Sequence, residues 1–112
     1  MNRMTSHLRQ VAVKQPRENG EGYREEYRMI GAVIRPLSGT LAARMYGEPL
    51  QETRLLLTWP GGDLAVGMGV CVDVGPQDAP DWRVVYVACW PRHCQAHIRY
   101  LPPWERRARH ED

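Results

Sequence analysis

The chain of 112 residues is long enough for one domain with a modest core and too short for two. Its formal net charge of +2 does not by itself indicate a nucleic-acid partner. No run of about 18 apolar residues is present, so we expect no membrane-spanning helix and no membrane partner.

Residues 1–7 are polar and basic, and we expect them to form a flexible N-terminal arm. The first ten residues, MNRMTSHLRQ, lack the apolar core of a signal peptide, which predicts a reducing cytoplasm as the compartment. A disulfide framework is therefore not expected for Cys71, Cys89 and Cys94, and two or three of them are predicted to be buried or half-buried free thiols.

Short stretches of alternating or continuous apolar residues, separated by turns rich in glycine and proline, predict β-strands. The predicted strands are residues 8–14, 23–35, 54–59, 64–74, 82–90 and 95–101. In the second strand, Gly31 is predicted to mark a bulge or a sharp bend, and Pro36 is predicted to end the ladder. In the fifth, Trp82, Tyr86 and Trp90 are predicted to share one face.

Six strand candidates at short spacing, with at most one short helix, are typical of a small antiparallel barrel or sandwich. With so few strands, closure best protects the edges from pairing with other chains. We therefore predict an all-β fold, a small antiparallel β-barrel over residues 8–101, followed by a C-terminal tail over residues 102–112.

The segment between the second and third predicted strands has two interpretations. Ser38 can cap a short helix over residues 40–46, with Leu41 and Met45 on one face and Gly47 just past its end. Such a helix is marginal without tertiary support, so the alternative is an irregular loop that orders only against a partner. The sequence leaves both open.

No nucleophile–base constellation and no phosphate-binding glycine loop is recognisable, so we expect no enzyme activity and no cofactor. The residues with metal-ligand chemistry form a compact C-x-x-x-H-C-x-x-H pattern of Cys89, His93, Cys94 and His97. Because strand pleat would direct these side chains apart, the pattern is only a weak zinc candidate and we expect no metal.

A second functional hypothesis is single-stranded nucleic-acid binding, in which a small barrel pairs basic residues with stacking aromatic side chains. The alternation over residues 82–90 argues instead for a core role of several of these aromatic residues. The basic candidates are Arg3, Arg9, Arg106, Arg107 and Arg109, and the aromatic candidates are Trp59, Trp82, Tyr86 and Trp90.

A series of short landmarks follows one another in a characteristic order along the chain. They are GAVIRP at residues 31–36, Ser38, the pair Tyr46-Gly47, the strand at 54–59, Val70-Cys71-Val72 after a glycine, and Asp81-Trp82-Arg83-Val84 before the strand at 85–90. This order resembles the small head-closure or head–tail joining proteins of long-tailed phages, also described as minor capsid or stopper-type proteins. The resemblance covers about residues 8–101.

The resemblance implies a structural virion protein at the head–tail junction, assembled in the host cytoplasm. Its homo-oligomeric ring would bind the portal and adaptor proteins, close the channel around packaged DNA and dock the tail terminator or tail tube protein. It also implies that residues 37–47 project from the barrel, with Arg44 facing DNA or an acidic patch. The implied channel and interface residues are Ser38, Leu41, Arg44, Met45, Tyr46, Arg3, Arg9, Trp104 and Arg106.

Overall fold

The computed structural model describes residues 8–18, 22–37, 52–61 and 63–103. Neighbouring strands in these ranges all pair antiparallel, and the wall closes in the order β1-β2-β3-β6-β5-β4, with β4 returning to β1. The predicted all-β barrel is confirmed. The strands are β1 (Arg9–Lys14), β2 (Arg28–Pro36), β3 (Thr53–Thr58), β4 (Gly69–Cys71), β5 (Trp82–Cys89) and β6 (Cys94–Tyr100).

The core fills the barrel interior with alternate residues from all six strands, as the two-residue period of a strand requires. Burying each large aliphatic side chain contributes roughly 1.5–3 kcal/mol, which makes this cluster the main source of stability. The strand residues of the cluster are Val11, Val13, Ile30, Ala32, Leu56, Val70, Trp82, Val84, Ala96 and Ile98. Within the described ranges, no helix is long and apolar enough to cross a bilayer.

The second strand begins later than the sequence predicts, at Arg28 rather than at residue 23. Its ladder with β1 starts at the pair Val13–Arg28, and Tyr23 forms only an isolated bridge with Pro16. Proline lacks the N–H that a continuing ladder needs, so β1 ends before Pro16 and the strand opposite it ends as well. Pro36 is the last residue of β2, as predicted.

The fourth strand has three residues, Gly69–Cys71, although the sequence predicts strand over residues 64–74, interrupted at Gly67 and Gly69 and strongest over 70–74. The carboxylate of Asp81 explains the early end. It accepts hydrogen bonds from the backbone N–H of Val72 at 2.8 Å and of Asp73 at 3.0 Å. These two N–H groups therefore bond to the Asp81 side chain instead of to a neighbouring strand. As a result, the backbone leaves the barrel wall after Cys71.

The predicted shared face of Trp82, Tyr86 and Trp90 is wrong. Val84 pairs with Ile98, but Tyr86 pairs with His97, so β5 holds a bulge between these pairs. One extra residue reverses the alternation. Trp82 stays in the core, whereas Tyr86 and Trp90 are 39% and 46% exposed on the surface.

The sequence predicts a bulge or a sharp bend at Gly31, and the bulge is not found there. Gly31 pairs with Gln10 in a register that runs without interruption from Val13–Arg28 to Arg9–Ala32. The irregularity of the wall lies in β5 instead.

Candidate functional site

Most of the interface residues implied by the family resemblance lie outside the described residues, and their roles stay predictions. They are Arg3, Ser38, Leu41, Arg44, Met45, Tyr46, Trp104 and Arg106. The basic candidates Arg107 and Arg109, the arm over residues 1–7 and the tail beyond residue 103 lie outside as well.

Arg9 is the exception, and it belongs to the barrel rather than to the arm. Its Nη2 atom donates a hydrogen bond to the Val72 carbonyl oxygen at 2.9 Å and lies 3.7 Å from the Asp73 carboxylate. The guanidinium is thus held by the loop that follows β4. A role for Arg9 in contacts between subunits remains a prediction.

Two of the three cysteines are joined, and the prediction of free thiols is wrong for them. Cys89 and Cys94 face each other as the last pair of the β5–β6 hairpin and form a disulfide. The four-residue turn at 90–93 places them on opposite strands at the same level. The C-x₄-C spacing around Pro91 was the signal for this, but it depends on a hairpin register that the sequence does not fix.

Cys71 is a free and buried thiol, as predicted. Burial raises its pKa to about 11, and the neighbouring Lys14 only partly opposes this effect. The thiol is therefore protonated and unreactive near neutral pH.

The weak zinc candidates do not form a ligand set. The disulfide removes both thiolates, while His93 stacks on Trp90 and His97 packs against Tyr86, with ring centroids 4.8 Å apart. Across the part of the chain that the structure describes, no three His, Cys, Asp or Glu residues are grouped to hold a metal ion.

The outer surface instead carries an aromatic row formed by Trp59, His93 and Trp90. Thr58 pairs with Cys94, so Trp59 and His93 are the next residues on adjacent strands. Trp90 and His93 stack with centroids 4.9 Å apart and planes inclined by 15°. Trp59 and Trp90 are 40% and 46% exposed.

Exposed apolar residues also lie beside this row, on β2 and just before β1: Ala32 pairs with Thr58, so Gly31 and Trp59 are the next residues on adjacent strands. The δ-carbons of Leu8 lie 3.4 Å from the position that a Cβ on Gly31 would occupy, and Met29 lies on the same face two residues before Gly31. Contiguous exposed patches of this kind mark interaction surfaces, whereas isolated exposed residues do not. We call Leu8, Met29, Trp59 and Trp90 the outer apolar surface; each is 38–46% exposed.

The four aromatic candidates of the nucleic-acid hypothesis therefore fall into two groups, one buried residue and three surface residues. Trp82 is in the core, with the Arg54 guanidinium 4.6 Å from its ring centroid and Tyr100 edge-on to it at 5.3 Å. Trp59, Tyr86 and Trp90 are on the surface. His93 was missed as a member of the row because its spacing to two cysteines pointed to metal instead.

Comparisons with protein-family models, with curated proteins and with solved structures find no match to this chain.

The buried residue His97 is expected to make the free energy of unfolding depend on pH. Burial lowers its pKa from the ordinary 6.5, so the folded state favours neutral imidazole. Its contribution to stability is complete above pH 6.5 and is lost as the pH falls through the lowered folded-state pKa. We expect urea titrations to show a decline in unfolding free energy below pH 6.5 that is shallower in His97→Gln, by at most ~1.4 kcal/mol per pH unit. Parallel profiles for the two proteins would refute this role.

Proposed function

We propose that this chain is a head-closure subunit of the phage head–tail junction. It assembles as a homo-oligomeric ring on the portal and adaptor proteins, closes the channel behind packaged DNA and docks the tail. The order of landmarks over residues 8–101 supports the family, and the closed six-stranded barrel agrees with the fold that this family implies.

The observation that carries the proposal is the outer apolar surface. These two tryptophans, the methionine and the leucine are each 38–46% exposed, so covering the exposed part of each would stabilise an assembly by roughly 1 kcal/mol, a fraction of the value for full burial. A subunit that works by packing against copies of itself and against neighbouring rings uses such residues as contacts. Tryptophan and methionine are enriched at protein interfaces for this reason.

The distribution of basic residues supports the same interpretation. Of the 15 lysines and arginines only Lys14 is a lysine. Lys14 is buried and donates to the Asp78 carbonyl oxygen at 2.8 Å, so it serves the subunit itself. Every other cationic side chain is an arginine, the residue that interfaces favour over lysine because its guanidinium forms bidentate contacts.

The proposal is tested by disrupting the gene in the phage or prophage that encodes it. We expect electron micrographs of the lysate to show heads that have lost DNA, together with unattached tails. Wild-type protein supplied from a plasmid should restore complete particles, and the double variant Met29→Glu, Trp59→Glu should not. Val66→Glu is the matched control, since Val66 is 63% exposed but lies outside the outer apolar surface. Normal particles in the disrupted strain would refute the proposal.

A further inference from the structure

We propose that the aromatic row binds single-stranded nucleic acid, with nucleobases stacking on Trp90 and Trp59 and with Arg92 contacting a backbone phosphate. The inference rests on the geometry of the β5–β6 hairpin. It concerns the free subunit, because the contacts proposed above would cover Trp59 and Trp90 in an assembled ring. Oligonucleotide binding and ring assembly are measured by different experiments, so the two proposals can fail separately.

The indole of Trp90 is exposed to solvent and is held in place by contacts within the β5–β6 turn. His93 covers one face of its indole with the ring centroids 4.9 Å apart, and the Trp90 residue remains 46% exposed. The backbone N–H of Trp90 donates to the His93 carbonyl oxygen at 2.7 Å, and the Cys89–Cys94 disulfide closes the base of the same turn. A base that stacks on a ring already fixed in this way requires little further ordering of the protein.

Trp59 provides a second stacking position at a suitable distance. It follows β3, which is separated from β5 by β6 alone. At ~4.8 Å between neighbouring strands, the backbone at Trp59 is roughly 10 Å from the backbone at Trp90, with His93 on the strand between them. This is about three base steps at the ~3.4 Å rise of a stacked strand, so one short oligonucleotide can reach both.

The charges favour nucleic acid over other ligands that stack on tryptophan. Arg92 is exposed in the turn, and residues 90–95 contain no carboxylate. Arginine binds phosphate oxygens through paired N–H donors, whereas a proline-rich peptide needs no cation and a sugar requires acceptor side chains. Duplex DNA is excluded as the ligand because its bases already stack on one another, which leaves no face for an indole.

The test is fluorescence anisotropy of end-labelled oligothymidine and oligouridine of about 12 nucleotides, within the site size of small barrels, titrated with the full chain at low salt. We expect saturable binding that weakens about tenfold or more in Trp90→Ala and about fivefold or more in Trp59→Ala. Trp90→Phe, which keeps an aromatic face, should retain most of the affinity. Tyr27→Ala, at an exposed aromatic residue outside the row, should match wild type.

Arg92→Gln should lower the slope of log affinity against log salt by about one, as expected for one lost phosphate contact. The oligothymidine and oligouridine arms show whether DNA or RNA is preferred, and tight binding of either supports the proposal. Absence of binding at low salt, equal affinity for a duplex, or unchanged affinity in Trp90→Ala would overturn it. So would Trp90-dependent binding of a proline-rich peptide without binding of either oligonucleotide.

Discussion

Replacing Asp81 with alanine is expected to lower the free energy of unfolding by about 2–5 kcal/mol. Asp81 is 2% exposed, and its carboxylate accepts from the backbone N–H of Val72 and of Asp73. Removing it leaves both donors without this acceptor, which costs about 1–3 kcal/mol for the buried Val72 N–H and about 1–2 kcal/mol for the part-buried Asp73 N–H. These two hydrogen bonds lie where β4 leaves the barrel wall. Their loss should therefore also weaken the pairing of β4 with β1 that closes the barrel.

Urea denaturation measures this change in unfolding free energy. Two further variants serve as an intermediate case and as a control. Asp81→Asn retains one acceptor oxygen and should fall between alanine and wild type. Glu18→Ala is the matched control, since Glu18 forms an exposed ion pair with Arg24 at 3.3 Å and its loss should change stability by less than about 1 kcal/mol. An Asp81→Ala protein as stable as Glu18→Ala would show that Asp81 does not hold this loop.

Replacing Gly69 with alanine is expected to cost about 1–3 kcal/mol or more, which is large for a single methyl group. A Cβ at this position would lie 2.5 Å from Pro80 Cγ and 2.9 Å from Tyr23 Cε1. Pro80 is fully buried and its ring is rigid, so it cannot step aside. The added methyl group must therefore push β4, which has three residues, away from the loop that packs on it.

Gly31→Ala makes the same chemical change on β2 and is the matched control. Its Cβ would lie 3.4 Å from the tip of Leu8, an exposed and flexible side chain that can move. Alanine should be neutral there, or stabilising by up to roughly 0.5–1 kcal/mol, because glycine loses more backbone entropy on folding. Thermal unfolding of the two variants should separate them clearly, and equal midpoints would contradict the packing described for Gly69.

Much of the fold was predictable because local patterns determine it. Alternating apolar residues between Gly/Pro turns located all six strands, and the cost of open edges in so short a chain predicted closure. The order of strands around the barrel was not predictable, since it depends on pairings between distant segments. The outward orientation of Tyr86 and Trp90 was not predictable either. One extra residue after Val84 moves the following side chains of β5 to the opposite face, and the composition of the strand gives no sign of it.

The candidate site was harder to predict for the same reason. Cys89, His93 and Cys94 suggested metal when considered by spacing alone. Only the hairpin register shows that the cysteines face each other and that His93 lies against Trp90. The row with Trp59 depends further on the β3–β6 pairing, which joins residues far apart in the chain.

Mass photometry can show whether this chain assembles at the head–tail junction, as we propose. The full chain would be mixed with the portal–adaptor complex purified from the phage that encodes it. We expect one discrete mass increment equal to a complete ring of chains, absent with the double variant Met29→Glu, Trp59→Glu and retained with Val66→Glu. A portal–adaptor complex of unchanged mass beside a monomeric chain would contradict it.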